Sequence, residues 1–192
     1  DWLKEAAPDV VCLQEIKTID EGFPREEIEA LGYNVETHGQ KTYNGVAILS
    51  KSPIEDVMRG LPDDDSDEQA RYIEATVNNV RIASIYLPNG NPTDTEKFPY
   101  KLGWMDRLIT RAKYLLTLEE PTVLAGDYNV IPQDEDCYDP KAWEGDALTR
   151  PESRNRFRQL LNLGYTDAYR AFTSEVNYTY WDYQRGAWQK DH

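Results

Sequence analysis

ARYIEATVNNVRIASIYL, residues 70–87, decides how this chain folds. Ile73, Ala75 and Val77 alternate with polar neighbours, the period-2 signature of a strand with one buried face. Asn78-Asn79 supplies a two-residue turn, and Val80-Arg81-Ile82-Ala83-Ser84-Ile85 returns as the partner strand. An antiparallel hairpin over 70–77 and 80–87 argues against a doubly wound parallel sheet, whose neighbouring strands need long crossovers. The expectation is an α/β sandwich of two sheets packed face to face, with helices outside.

Working outward, two apolar runs each end in a carboxylate: VVCLQEIK (10–17) and TVLAGDYN (122–129). Both read as buried strands, over 9–14 and 122–126, the first of them central. Residues 33–37, 43–50 and 178–183 also read as strands. Helices are predicted from Pro24 to Leu31, stopped by Gly32, and over 101–118, where Met105, Leu108, Ala112, Leu115 and Leu116 recur at helical spacing. A third runs from Pro151 to Leu163, burying Phe157, Leu160 and Leu161 before Gly164. Residues 88–92 and 131–149 read as loop. No repeat or linker divides the 192 residues, so a single domain over 1–192 is expected. Residue 1 is Asp, the first seven residues resemble the tail of a helix, and Gln189-Lys190-Asp191-His192 ends without a cap. The expectation is a piece of a longer domain.

Composition narrows the chemistry. Only Cys12 and Cys137 are present, which disfavours a disulfide framework and fits a reducing cytoplasm. With His38 and His192 the only histidines, zinc is disfavoured, and any metal is a hard, oxygen-liganded one. No apolar run approaches the ~20 residues of a membrane span. The net charge of −14 weighs against simple nucleic-acid binding. Much of it sits in two acidic blocks, Asp63 to Glu68 and Asp134 to Asp139, which leaves Lys17, Lys41, Arg71 and Lys97 for a local basic face.

Particular residues sharpen this. A lone Glu after a strand is usually a surface group. Glu15, however, follows a core strand and has Lys17 two positions on, a spacing that suits a metal ligand beside a phosphate-pairing cation. Gly126-Asp127-Tyr128-Asn129 is ordinary turn material; functionally, Asp127 suits a base for water and Asn129 a group that orients it. Tyr86 at a strand end and Asn89 in the next loop suit polarisation of a phosphate, or a core aromatic and a turn. Tyr178, Tyr180, Trp181 and Tyr183 are packing aromatics, one or two of which could stack on a sugar or nucleotide. His38-Gly39-Gln40-Lys41 reads as a solvated loop or a DNA-backbone contact.

The order LQEIK, GYNVETHGQKTYNGVAILSK, ARYIEA, IYLPNG, KFPYK, LAGDYNV and YTYWDYQ resembles the exonuclease III family, AP endonucleases and 3′ exonucleases of the endonuclease/exonuclease/phosphatase superfamily. LQE and GDxN alone would reach only the superfamily, which also holds lipid and inositol phosphate phosphodiesterases. The resemblance implies a four-layered, DNase I-like α/β sandwich, with two packed mixed β-sheets flanked by helices, and Mg²⁺ (or Mn²⁺) as cofactor. It implies duplex DNA with abasic sites or 3′ ends as substrate, met by a monomer. Glu15 resembles the magnesium ligand, Tyr86 the active-site tyrosine, Asp127 the proton-transfer acid and Asn129 its partner; Asp127 and Asn129 are also metal-associated. Lys17, Gln40, Lys41, Arg71, Asn89 and Lys97 fall at DNA-phosphate contacts, and Tyr180 and Trp181 at the pocket for the baseless sugar. The family's first strand, with its Asn, is expected before Asp1, and its later Asp and Asp-His pair after His192. Asp191-His192 itself reads as loop, and the isolated chain is expected to lack activity. The alternatives are a superfamily phosphoesterase acting on a small or lipid phosphate, and a degenerate binding module.

Overall fold

The computed structural model describes residues 1–173, 175, 177–182 and 186. Two compact units emerge, one of residues 1–87 with 113–128, the other of 88–112 with 129–192. In chain order the elements are α1 (Trp2–Ala6), β1 (Val10–Gln14), α2 (Arg25–Glu29), β2 (Asn34–His38), β3 (Val46–Ser50), β4 (Glu55–Arg59), β5 (Tyr72–Val77), β6 (Val80–Tyr86), α3 (Lys97–Leu116), β7 (Thr122–Asp127), α4 (Pro151–Asn162) and α5 (Ala168–Phe172).

The first unit holds both sheets. One has the order β1-β3-β2 and is antiparallel throughout; the other has the order β4-β5-β6-β7. The hairpin forms as expected, with Asn78 and Asn79 both at positive φ, which matches the turn to the twist of its strands. β3 is buried along its whole length because it packs on both faces. Ala47 and Leu49 join Val11, Phe23, Ile28, Tyr33 and Val35 under the helices, with Leu3 of α1 against them. Val46 and Ile48 point the other way, onto Ile73 and Ala75 of the second sheet. That inter-sheet layer is fastened by polar atoms too: Gln14 Nε2 donates to Ser84 Oγ at 3.0 Å, and Ser84 Oγ donates to the Leu13 carbonyl at 3.0 Å.

Two expectations are corrected here. β5 does not have one solvated face. Tyr72 and Glu74 are buried as deeply as Ile73 and Ala75, and the Tyr72 hydroxyl donates to Glu74 Oε2 at 2.6 Å. Arg81 neutralises that carboxylate at 3.0 Å and reaches Glu120 at 2.7 Å. The second sheet is mixed, as expected: β7 pairs parallel with β6, and the α3 crossover supplies the length such a pair requires. Finally, β1 and β7 are edge strands among the described residues, so β1 is not central, and Val123 of β7 is largely exposed.

In the second unit, Phe98, Ile131, Cys137, Ala147 and Leu148 form a core with Leu102, Trp143 and Tyr180 against it. α3 starts at Lys97, earlier than its apolar spacing indicates, because Pro99 is tolerated in a first turn where amide groups have no helical partner. In α4 only Leu160 of the three expected core residues is buried; Phe157 and Leu161 are half-exposed. Residues 178–182 are not a strand. The amides of Thr179 and Tyr180 both donate to the Asp136 carbonyl, which removes them from any ladder. Asp136 is itself buried, held by Arg170 and by the Thr179 hydroxyl. Tyr183, Asp191 and His192 lie outside the described residues.

Candidate active site

β1 ends at Gln14, and the backbone then leaves the extended region. Glu15 and Lys17 sit at φ 55° and 54°. Left-handed backbone at two non-glycine residues is unfavourable and persists only where the surroundings hold it. Here they do: the Ile16 amide donates to the Gly45 carbonyl and the Lys17 amide to the Asn44 carbonyl. Glu15 and Lys17 therefore meet at 2.8 Å through this turn, and not through the strand alternation expected from their spacing.

Tyr86 closes β6, and its register partner on β7 is Asp127, so both side chains leave the same face of the sheet. The Tyr86 hydroxyl hydrogen-bonds Glu15. Arg71 lies over the Tyr86 ring at 4.7 Å, while its Nη1 donates to the Tyr86 carbonyl at 3.3 Å and its Nε to Gln69. These contacts set the protonation states. The Glu15 carboxyl is held below the ordinary carboxylate range, first by the hydrogen bond from Lys17, against some desolvation, with help from Tyr86 and Arg71. The Tyr86 phenol is pushed up to about 12, first by burial and then by the negative charges of Glu15 and Asp127. At neutral pH the rim presents an ionised carboxylate beside a phenol that keeps its proton.

Gln40 is drawn into the same cluster. Its Oε1 accepts from Asn44 Nδ2 at 2.8 Å and from the Ala70 amide at 3.0 Å, which ties the 40–45 loop to the residue before Arg71. Lys41 is exposed at the loop's surface. Glu15, Lys17, Gln40, Arg71, Tyr86 and Asp127 are thus gathered in the first unit.

The second unit carries the remaining candidates. Asn129, at φ 44°, is out of strand conformation. Its Oδ1 accepts from Asn89 Nδ2 at 3.2 Å. Lys97 is exposed at the start of α3. Tyr180 packs edge-on against Trp143, with 4.9 Å between ring centroids, and so serves the unit's core; Trp181 is half-buried beside it in the chain. Sequence reasoning missed Asn91, Lys101 and Asp146. Asn91 Nδ2 donates to Asn89 Oδ1 at 2.9 Å and to Asp146, and Lys101 is fully buried among backbone carbonyls. The one available signal was a lysine on the apolar side of a helix.

A hard cation fits the donors of the first unit in one way only. Among the described residues no group of three or more His, Cys, Asp or Glu could cage a metal. Glu15 offers one ionised oxygen donor, 41 % exposed, which suits an ion that keeps its waters and takes one or two carboxylates plus substrate phosphate.

The model of the Endonuclease/Exonuclease/phosphatase family matches residues 1–190. Exodeoxyribonuclease III of Haemophilus influenzae is 33 % identical over 95 % of this chain and 73 % of its own length. A 3′ phosphatase from Neisseria, NExo, bound to product DNA hairpin, superposes with a TM-score of 0.94 at 38 % identity, over 99 % of this chain and 74 % of that one. An AP endonuclease from Archaeoglobus fulgidus gives 0.91 at 34 % identity, over 98 % and 74 %. The chain belongs to the endonuclease/exonuclease/phosphatase family, in its exonuclease III branch. The chemistry of that branch is hydrolytic: its members are DNA-repair phosphodiesterases.

Proposed function

We propose that this chain carries the Glu15, Tyr86, Asp127 and Asn129 machinery of a Mg²⁺-dependent nuclease that cuts duplex DNA 5′ to abasic sites and removes nucleotides from 3′ ends. The observation that carries the reading is the pairing of an ionised Glu15 with a protonated Tyr86 at one strand end, with Asp127 on the same face. Glu15 is the residue that would hold the cation, with Asp127 and Asn129 as further candidates. When bound, Mg²⁺ (or Mn²⁺) neutralises charge building on the phosphate and the leaving oxygen.

The chain's own groups do the rest. Tyr86 keeps its proton and so donates a hydrogen bond to a phosphate oxygen; Arg71, stacked on its ring, holds the phenol in place. Asp127 takes the proton of the attacking water as the water oxygen bonds to phosphorus and the P–O bond to the leaving 3′ oxygen breaks. Asn129, whose Oδ1 accepts from Asn89, is the amide assigned to orient the attacking water or the phosphate. Gln40 is constrained the same way: its oxygen is used twice, which leaves its NH₂ to contact DNA backbone. Lys17, Lys41, Arg71, Asn89 and Lys97 supply the remaining phosphate contacts, and Trp181, more than the core-packed Tyr180, faces the baseless sugar. A cytoplasmic monomer completes the reading. The two free thiols accord with it, and among the described residues no helix is long and apolar enough to cross a membrane.

The test is cleavage of a duplex carrying a single abasic site, with and without EDTA. Mg²⁺-dependent incision that drops about 10²-fold or more in Tyr86→Phe or Asp127→Ala supports the assignment. EDTA-insensitive cleavage, or near-normal rates in both variants, would remove it.

A further inference from the structure

Among the described residues, Lys101 is the most deeply placed charge of the second unit, and the scheme proposed above gives it no role. Its side chain is fully buried, yet its Nζ donates to three backbone carbonyls from three separate segments: Asn89 at 3.0 Å, Asn129 at 2.5 Å and Ala147 at 3.3 Å. Two of those carbonyls belong to the residues whose side chains form the Asn89–Asn129 hydrogen bond. The third segment is tied to the first by Asn91: its Oδ1 accepts from the Ala147 amide at 3.1 Å, and its Nδ2 donates to both Asn89 and Asp146. The path of the lysine is built in as well. A Cβ on Gly90 would stand 2.6 Å from Lys101 Cδ, so the 88–92 loop runs where only a glycine lets the side chain pass.

A buried ammonium is expensive to desolvate, and a methionine of similar length would fill the space with no such penalty. What the ammonium alone provides is a point of positive charge to which three carbonyls converge. We infer that Lys101 is a positioning residue of the phosphodiesterase site, fixing the backbone of Asn89 and Asn129 so that their amides meet the substrate phosphate at a set distance. This inference rests on the role proposed above for Asn129. Displacement of about 1 Å at a reacting group is enough to lower turnover about 10²-fold.

The experiment compares Lys101→Met, Lys101→Arg, Asn129→Ala and the double variant Lys101→Met/Asn129→Ala, with Asp106→Asn on the same helix as control. In abasic-site cleavage, Lys101→Met should lower kcat about 10²-fold with KM within about threefold, and Lys101→Arg should recover part of the loss. The double variant should be slower than Asn129→Ala by much less than the full Lys101→Met loss, because only Asn89 is left for Lys101 to position. Independent losses that multiply, or a Lys101→Met kcat within about threefold of the parent, would overturn the inference. Should Lys101→Met unfold the unit, Lys101→Gln, which keeps a donor, takes its place. Nitrogen-15 spectra separate this outcome from failure of the nuclease reading. If the parent cleaves no DNA, the Asn89 and Asn129 side-chain amides must still shift and broaden in Lys101→Met and stay fixed in Asp106→Asn. Unchanged amides in Lys101→Met refute the positioning role whatever the activity.

Discussion

Gly126→Ala is the substitution for which the structure gives the sharpest expectation. Gly126 sits in β7 opposite Ile85, at φ 146°, and a Cβ built there would lie 2.0 Å from the Ile85 carbonyl oxygen and 2.8 Å from its carbon and nitrogen. A comfortable carbon–oxygen contact is about 3.3 Å or more, so β7 must retreat from β6 by about 1 Å. The obstacle is backbone, and no side chain can swing aside. A retreat of that size breaks about two ladder hydrogen bonds, each worth about 1 kcal/mol net, among them the 2.8 Å bond from the Leu87 amide to the Asp127 carbonyl. The strained φ adds about 1–2 kcal/mol. The sum, about 3–4 kcal/mol, corresponds to a melting temperature lowered by about 6–16 °C for a chain of this length. Thermal and urea unfolding followed by far-ultraviolet circular dichroism measure it. A Gly126→Ala protein melting within about 2 °C of the parent would show that β6 and β7 are not packed as described, and the placement of Asp127 beside Tyr86 would go with it.

Other expectations follow from single contacts. Glu74→Ala should cost about 3–5 kcal/mol in urea unfolding, because it strands part of the Arg81 charge and the Tyr72 hydroxyl in a buried layer, whereas Asp9→Asn, at an exposed ion pair with Lys51, should stay within about 0.5 kcal/mol. Gly103→Ala in α3 should stabilise by about 0.5–1 kcal/mol, since the added Cβ meets nothing within 4 Å and the helix loses a flexible residue; a lower urea midpoint would contradict this. The Cys12 thiol is pushed up to about 11 by burial, only partly offset by Ser84, so its alkylation at pH 8 should run about 10²-fold slower than in the urea-unfolded chain. Because the folded protein holds that proton more tightly, the associated stability is complete below about 9 and is lost as pH climbs from 9 to about 11. A Cys12→Ser variant with the same alkaline stability slope as the parent would argue against it.

What could be read from sequence divides along a physical line. The 78–79 hairpin, the 151–163 helix and the Glu15, Tyr86 and Asp127 positions were legible because period, turn chemistry and strand-end placement are local properties. The parallel docking of β7 was not, since nothing within 122–127 says which neighbour it will meet. Residues 178–182 misled for a related reason: alternating aromatics imitate a strand, while the deciding interaction is with Asp136, 43 residues away from Thr179. Lys101 was invisible because its partners lie 12, 28 and 46 residues off and are all backbone carbonyls, which leave no trace in composition. The left-handed turn that brings Lys17 onto Glu15 depends on the 44–45 segment and is equally silent.

The fastening of Gln14 and Leu13 to Ser84 has a consequence in time. The bond from Gln14 spans 70 residues, so the segment that delivers Glu15 acquires its final position only after the distant hairpin has formed and the sheets have met. On a ribosome adding about 5–20 residues per second, Gln14 waits roughly 4–14 s for Ser84 to be made. The hairpin itself closes in about 1–10 μs once its turn exists. During synthesis, the carboxylate proposed to hold the cation is therefore made seconds before the partner that fixes its segment exists.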